Sequence, residues 1–102
     1  MLKLIETNWS EIMYICQRHK VRRLEMFGSA GKNEFDEKSS DLDFLVEFQD
    51  MDLASYADAY FGVLEDLGKL FERPIDLVVI SSIKNPFFLQ SINQDRELLY
   101  AA

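Results

Sequence analysis

Cysteine occurs once, at Cys16, so no disulfide can form within the chain and a reducing compartment is the expected setting. Proline occurs twice and glycine four times, and no repeat, low-complexity stretch or linker divides the sequence. No run approaches the ~18 consecutive apolar residues that read as a membrane span. The segment Met1 to Ser10 has no apolar run behind a basic one, so no signal peptide is expected. Positive charge is in deficit: 11 Lys and Arg stand against 18 Asp and Glu, for a net charge of −7. A field of that sign repels polyanions and disfavours nucleic acid as a partner. Nucleotides are not excluded, because bound divalent cations can invert the local sign. The expectation is a cytoplasmic protein with no membrane attachment.

What is present is core material. Apolar residues make up 48% of the 102, with eight Phe, four Tyr and one Trp. That supports a single domain over residues 1–102 and leaves no room for two cores.

Leu2, Ile5, Trp9, Ile12, Met13 and Cys16 recur at helical spacing, and the helix ends near His19 and Lys20. Alternatively Asn8-Trp9-Ser10-Glu11 is a capping box that opens a shorter helix. Val21 to Phe27 alternates as a strand, and Gly28-Ser29 interrupts it. Ala30 to Ser40 is polar and reads as loop. Asp41 to Phe48 is the clearest strand, with Leu42, Phe44, Val46 and Phe48 on one face and Asp41, Asp43, Leu45 and Glu47 on the other. Asp52 N-caps a second helix to about Arg73, ended by Pro74 and weakened by Gly62 and Gly68 at ~1 kcal/mol each. Ile75 to Ile80, nearly all apolar, reads as a buried strand. A short helix over Phe87 to Ile92 follows Asn85-Pro86, and Leu98 to Tyr100 adds a last strand. The fold class is α+β: a small mixed β-sheet packed with helices.

Three acidic residues stand out by position. Asp41 and Asp43 are two apart on a strand, so both side chains project from one face. Two carboxylates that close repel unless a cation lies between them. Asp76 interrupts an otherwise apolar strand, where a charge is costly unless paired or metal-bound. If its strand pairs beside that of Asp41, the three can cluster, and oxygen-only ligands favour magnesium or manganese over zinc. Upstream, Gly28 lets the backbone approach a phosphate and the Ser29 hydroxyl can bond its oxygens. The structural alternatives are a solvated strand face for Asp41 and Asp43, and an ion pair from Asp76 to Arg23 or Arg73. Glu47 reads as a solvated edge charge, His19 as a surface helix end, and Cys16, Tyr56, Tyr60 and Phe87-Phe88 as packing.

Taken together, Phe27-Gly28-Ser29-Ala30, Ser40-Asp41-Leu42-Asp43-Phe44-Leu45-Val46 and Pro74-Ile75-Asp76-Leu77-Val78 resemble the polymerase-beta-type nucleotidyltransferase superfamily, and within it the minimal nucleotidyltransferase (MNT) group. The resemblance extends to Ile83-Lys84-Asn85-Pro86-Phe87 and Leu98-Leu99-Tyr100-Ala101. It implies the polymerase-beta-like fold and a magnesium-dependent transfer of a nucleoside monophosphate, AMP from ATP, to a hydroxyl. Gly28 and Ser29 would hold the triphosphate, with Lys32 as the nearest basic residue. Asp41, Asp43 and Asp76 would bind a pair of magnesium ions, and Asp76 would assist deprotonation of the acceptor. Members act as antitoxins of HEPN-domain toxins, and this chain lacks the spaced Arg and His pair typical of the toxin side. The loop Ala30 to Ser40 is one residue longer than the family's commonest spacing. Two other functions stay open: a non-catalytic antitoxin that neutralises its toxin by contact, and a small-molecule nucleotidyltransferase. So small a catalytic core is expected to complete its acceptor site with a partner chain or a second copy of itself.

Overall fold

The computed structural model describes residues 3–27, 42–80 and 96–102. Two expectations, the loop Ala30 to Ser40 and the helix Phe87 to Ile92, lie outside these residues. The described elements are α1 (Lys3–Thr7), α2 (Trp9–Arg18), β1 (Val21–Phe27), β2 (Leu42–Phe48), α3 (Leu53–Phe71), β3 (Ile75–Val79) and β4 (Glu97–Ala101).

The first helical segment is broken at Asn8, so the single long helix is not formed. A shorter helix does begin at Trp9, but the capping box is not made. Asn8 has φ −106° and ψ 20°, outside the extended geometry that aims a cap at the helix, and its Nδ2 donates backward to the Leu4 carbonyl at 2.9 Å. At α3 the expected cap is present. Asp52 is extended (φ −70°, ψ 166°) and its Oδ1 accepts from the Ser55 N–H at 2.8 Å. The helix stops before Pro74 is reached: Glu72 takes a left-handed conformation (φ 54°) and its N–H returns to the Gly68 carbonyl at 2.9 Å.

The four strands form one mixed sheet in the order β3-β2-β1-β4. β1 is antiparallel to both β2 and β4, and β2 is parallel to β3 through the crossover α3. β3 is therefore an outer strand among the described residues, a correction to its expected burial. Its apolar residues split by face. Leu77 is buried in the core and Ile75 and Val79 pack half-buried against it, while Asp76 is exposed. A nearly continuous apolar run serves one face and its edges here, and does not signal burial on both sides.

α2 and α3 cover one face of the sheet. Ile12, Ile15 and Cys16 from α2 join Val63, Leu67 and Phe71 from α3 over Leu24, Met26, Phe44, Val46 and Leu77. Phe44 stacks on Phe71 with ring centroids 6.2 Å apart, and Tyr56 meets Phe48 edge-on at 5.2 Å. The Tyr60 hydroxyl donates to the Leu77 carbonyl at 2.7 Å, fastening α3 to β3. Cys16, Tyr56 and Tyr60 are thus packing residues, as expected. His19 departs from its expected place as a surface helix end. Its side chain is 15% exposed, and Nε2 lies 2.6 Å from Asp66 Oδ2 on α3.

Candidate functional site

The alternation of β2 decides where its acids face. Leu42, Phe44, Val46 and Phe48 enter the core, so Asp43, Leu45 and Glu47 project from the opposite face. On β3 the same logic sends Leu77 inward and Asp76 outward. The parallel ladder sets Asp43 directly opposite Asp76, between the pairs Leu42–Ile75 and Phe44–Leu77. Neighbouring strands lie ~4.8 Å apart and side chains of register partners share a face. The two carboxylates are therefore adjacent on the face away from the helices.

On the other side of β2, Asp43 is the register partner of Phe27, the last residue of β1. One row across the sheet thus reads Phe27, Asp43, Asp76. In sequence Phe27 is followed at once by Gly28 and Ser29, and Leu42 is preceded by Asp41. Gly28, Ser29, Lys32 and Asp41 themselves lie outside the described residues. Among the described residues no group of three or more His, Cys, Asp or Glu is gathered for a metal. The described part supplies Asp43 and Asp76, a hard oxygen donor set that fits magnesium and does not resemble a zinc site.

The exposure of Asp76 removes the burial cost expected of a charge in that strand. Its alternative pairing with Arg23 is not the one Arg23 makes: the Arg23 Nε donates to Glu25. Glu47 is half-buried and 3.7 Å from Arg22.

Glu25 is a residue that sequence reasoning misses. It is 2% exposed. Arg23 Nε and Arg96 Nη2 both donate to its Oε1, the latter at 2.8 Å, and Arg96 Nε donates to Oε2. Burial pushes the carboxyl up, but the hydrogen bonds and charges of Arg96 and Arg23 outweigh it and hold Glu25 below the usual glutamate range. The Glu25 carboxylate in turn raises Arg96.

Residues 12–99 match the nucleotidyltransferase domain family. The chain belongs to that family. Among its relatives in Methanocaldococcus jannaschii, the candidate protein adenylyltransferase MJ1379 is 34% identical over 94 residues, covering 84% of this chain and 92% of the relative. A second, MJ0128, is 38% identical over 79 residues, covering 78% of this chain and 76% of the relative. Of solved structures, a candidate minimal nucleotidyltransferase superposes with a TM-score of 0.67 at 22% identity, over 94% of this chain and 95% of the other. A structure of the tri-AMPylated Shewanella oneidensis HEPN toxin with its MNT antitoxin gives a TM-score of 0.64 at 19% identity, over 95% of this chain and 72% of the other. A toxin–antitoxin structure with AMP-PNP gives 0.67 at 20% identity, over 93% and 74%. These likenesses establish the polymerase-beta-like fold of the minimal nucleotidyltransferases. No helix among the described residues of this nucleotidyltransferase is long and apolar enough to cross a membrane.

Proposed function

We propose that this nucleotidyltransferase moves AMP from ATP, with magnesium, to a hydroxyl of a HEPN-type toxin in the cytoplasm and thereby acts as its antitoxin. The observation that carries the reading is the in-register Asp43–Asp76 pair beside the end of β1. The curated relatives named as candidate protein adenylyltransferases support a protein acceptor, and the solved complex of an AMPylated toxin supports its kind.

In this reading Gly28, Ser29 and Lys32 hold the triphosphate, and Asp41, Asp43 and Asp76 are the metal ligands. Magnesium, when bound, supplies charge neutralisation at the phosphates and a lower pKa for the acceptor hydroxyl. The acceptor oxygen attacks the α-phosphorus in line. An oxygen–phosphorus bond forms as the bond from that phosphorus to the bridging oxygen breaks. Pyrophosphate leaves with the electron pair, and the hydroxyl proton passes to Asp76. The protein's contribution is mainly position and charge. The toxin, or a second copy of this chain, completes the acceptor side of the site.

The test combines the protein, magnesium, ATP labelled on its α-phosphate and a HEPN-type toxin. Label is expected on the toxin with wild type and not with the Asp41→Ala, Asp43→Ala double variant. Undiminished labelling by that variant sinks the mechanism. Labelling of neither protein, with the toxin still silenced, would assign the contact-only role instead.

A further inference from the structure

Glu25 is the one charged residue that is buried among the described residues, and no step of the proposed transfer uses it. Its β1 neighbours Leu24 and Met26 enter the core, so Glu25 stands on the same sheet face as Asp43 and Asp76. It is opposite Leu45 and two residues before Phe27, which pairs with Asp43. On the strand rise that is ~7 Å from the acidic row.

The ladder from β1 to β4 is irregular at this point. Leu24 pairs with Tyr100 but Glu25 pairs with Leu98, so Leu99 is an extra residue on β4, and the pairing runs on only to Met26 and Glu97. A bulge leaves a ladder locally disrupted. The Arg96 guanidinium, at the entry to β4, donates to both oxygens of the Glu25 carboxylate and ties β4 to β1 just past that disruption, on the Phe27 side. Apolar residues of similar volume would hold two strands at least as firmly as an ion pair with its desolvation cost. What a forked guanidinium–carboxylate contact adds is direction.

We infer that Glu25 and Arg96 are positioning residues: they brace the end of β1 against β4, so that the chain leaves Phe27 toward Gly28-Ser29 at a fixed place relative to Asp43. The inference rests on the transferase reading. Arg23 also bonds Glu25, but it lies on the same strand and is 46% exposed, so that bond does not tie β1 to β4.

The experiment compares wild type with Arg96→Lys, Glu25→Gln and Arg23→Ala, each confirmed folded by a cooperative melt. Steady-state transfer to the cognate toxin is measured against ATP and against toxin, and amide hydrogen exchange is followed along β1. Arg96→Lys and Glu25→Gln are expected to lower kcat/KM for ATP by ~10- to 100-fold, the scale on which small misplacements act. KM for the toxin should move less than about 3-fold, and Arg23→Ala should stay within about 3-fold throughout. The amides of residues 25–27 should exchange at least about 10-fold faster in the first two variants, while those of α2 do not. Wild-type kcat/KM for ATP in folded Arg96→Lys overturns the brace, as does an equal loss in Arg23→Ala. If wild type transfers nothing, it is the transferase reading that fails. The brace is then judged on exchange alone, and unchanged protection at Phe27 overturns it.

Discussion

The His19 ring occupies the space beside Gly62: a β-carbon placed on that glycine would stand 2.4 Å from Cε1, while Nε2 is held 2.6 Å from Asp66 Oδ2. Gly62→Ala must therefore displace the ring and break its bond to Asp66. The gain in helix propensity, ~1 kcal/mol, is outweighed by overpacking of ~1–3 kcal/mol and the lost hydrogen bond. At Gly68 an added methyl group would meet nothing within 4 Å, so Gly68→Ala should stabilise by ~1 kcal/mol. Urea unfolding of the two variants should shift the midpoint in opposite directions.

Asp43→Asn and Asp76→Asn each remove one carboxylate from the in-register pair. Each is expected to lower adenylyl transfer by at least ~10²-fold without unfolding the chain, since the lost interactions matter most at the reacting phosphate. Chelation of magnesium should abolish transfer by wild type. The rise in thermal midpoint on adding magnesium and ATP should be present in wild type and reduced in both variants.

Glu25 gives stability an acid-sensitive component. Its folded pKa lies below the ordinary glutamate value of the unfolded chain, so its contribution is complete above that value. It is lost as pH falls through the lower, folded pKa. The stability gap between wild type and Glu25→Gln should therefore be constant near neutrality and narrow progressively below the usual glutamate range. Breaking a buried pair typically costs ~3–5 kcal/mol; the partial exposure of Arg23 and Arg96 places the neutral-pH gap toward the lower end. Denaturant titrations at stepped pH would measure it.

Cys16 is fully buried, and that burial pushes its thiol up to about 12. An aromatic disulfide reagent at pH 8 should leave it unmodified in the folded protein and modify it once denaturant opens α2. Prompt reaction under native conditions would contradict the packing of α2 on β1 and α3.

The fold is legible in the sequence wherever one residue type has one job. The alternation of Leu42, Phe44, Val46 and Phe48 announces a one-faced strand, and Asp52 announces the start of α3. The exposure of β3 is not legible, because an apolar run reads alike in a central strand and in an outer one with a single packed face. The break at Asn8 is half legible: its cap position shows, but its backward bond to Leu4 depends on backbone angles. In the candidate site, Asp43 and Asp76 are readable as chemistry out of place, and their adjacency needs only the right strand pairing. Glu25 is invisible for the opposite reason. It sits in an alternating strand where a charge looks solvated, and its partner Arg96 lies 71 residues away.

The parallel pairing of β2 with β3 through α3 also settles what kind of object the acidic pair is. Both carboxylates belong to one unbroken stretch, residues 42–79, that goes out along a strand, back along a helix and out again. Among the described residues β1, which ends at Phe27, joins that stretch sideways through its ladder with β2. The acidic pair and the end of β1 thus meet at one register pair, Phe27 and Asp43. Because the two acids face each other within residues 42–79 alone, a rearrangement that relocates β1 or β4 in the sequence leaves that pairing in place.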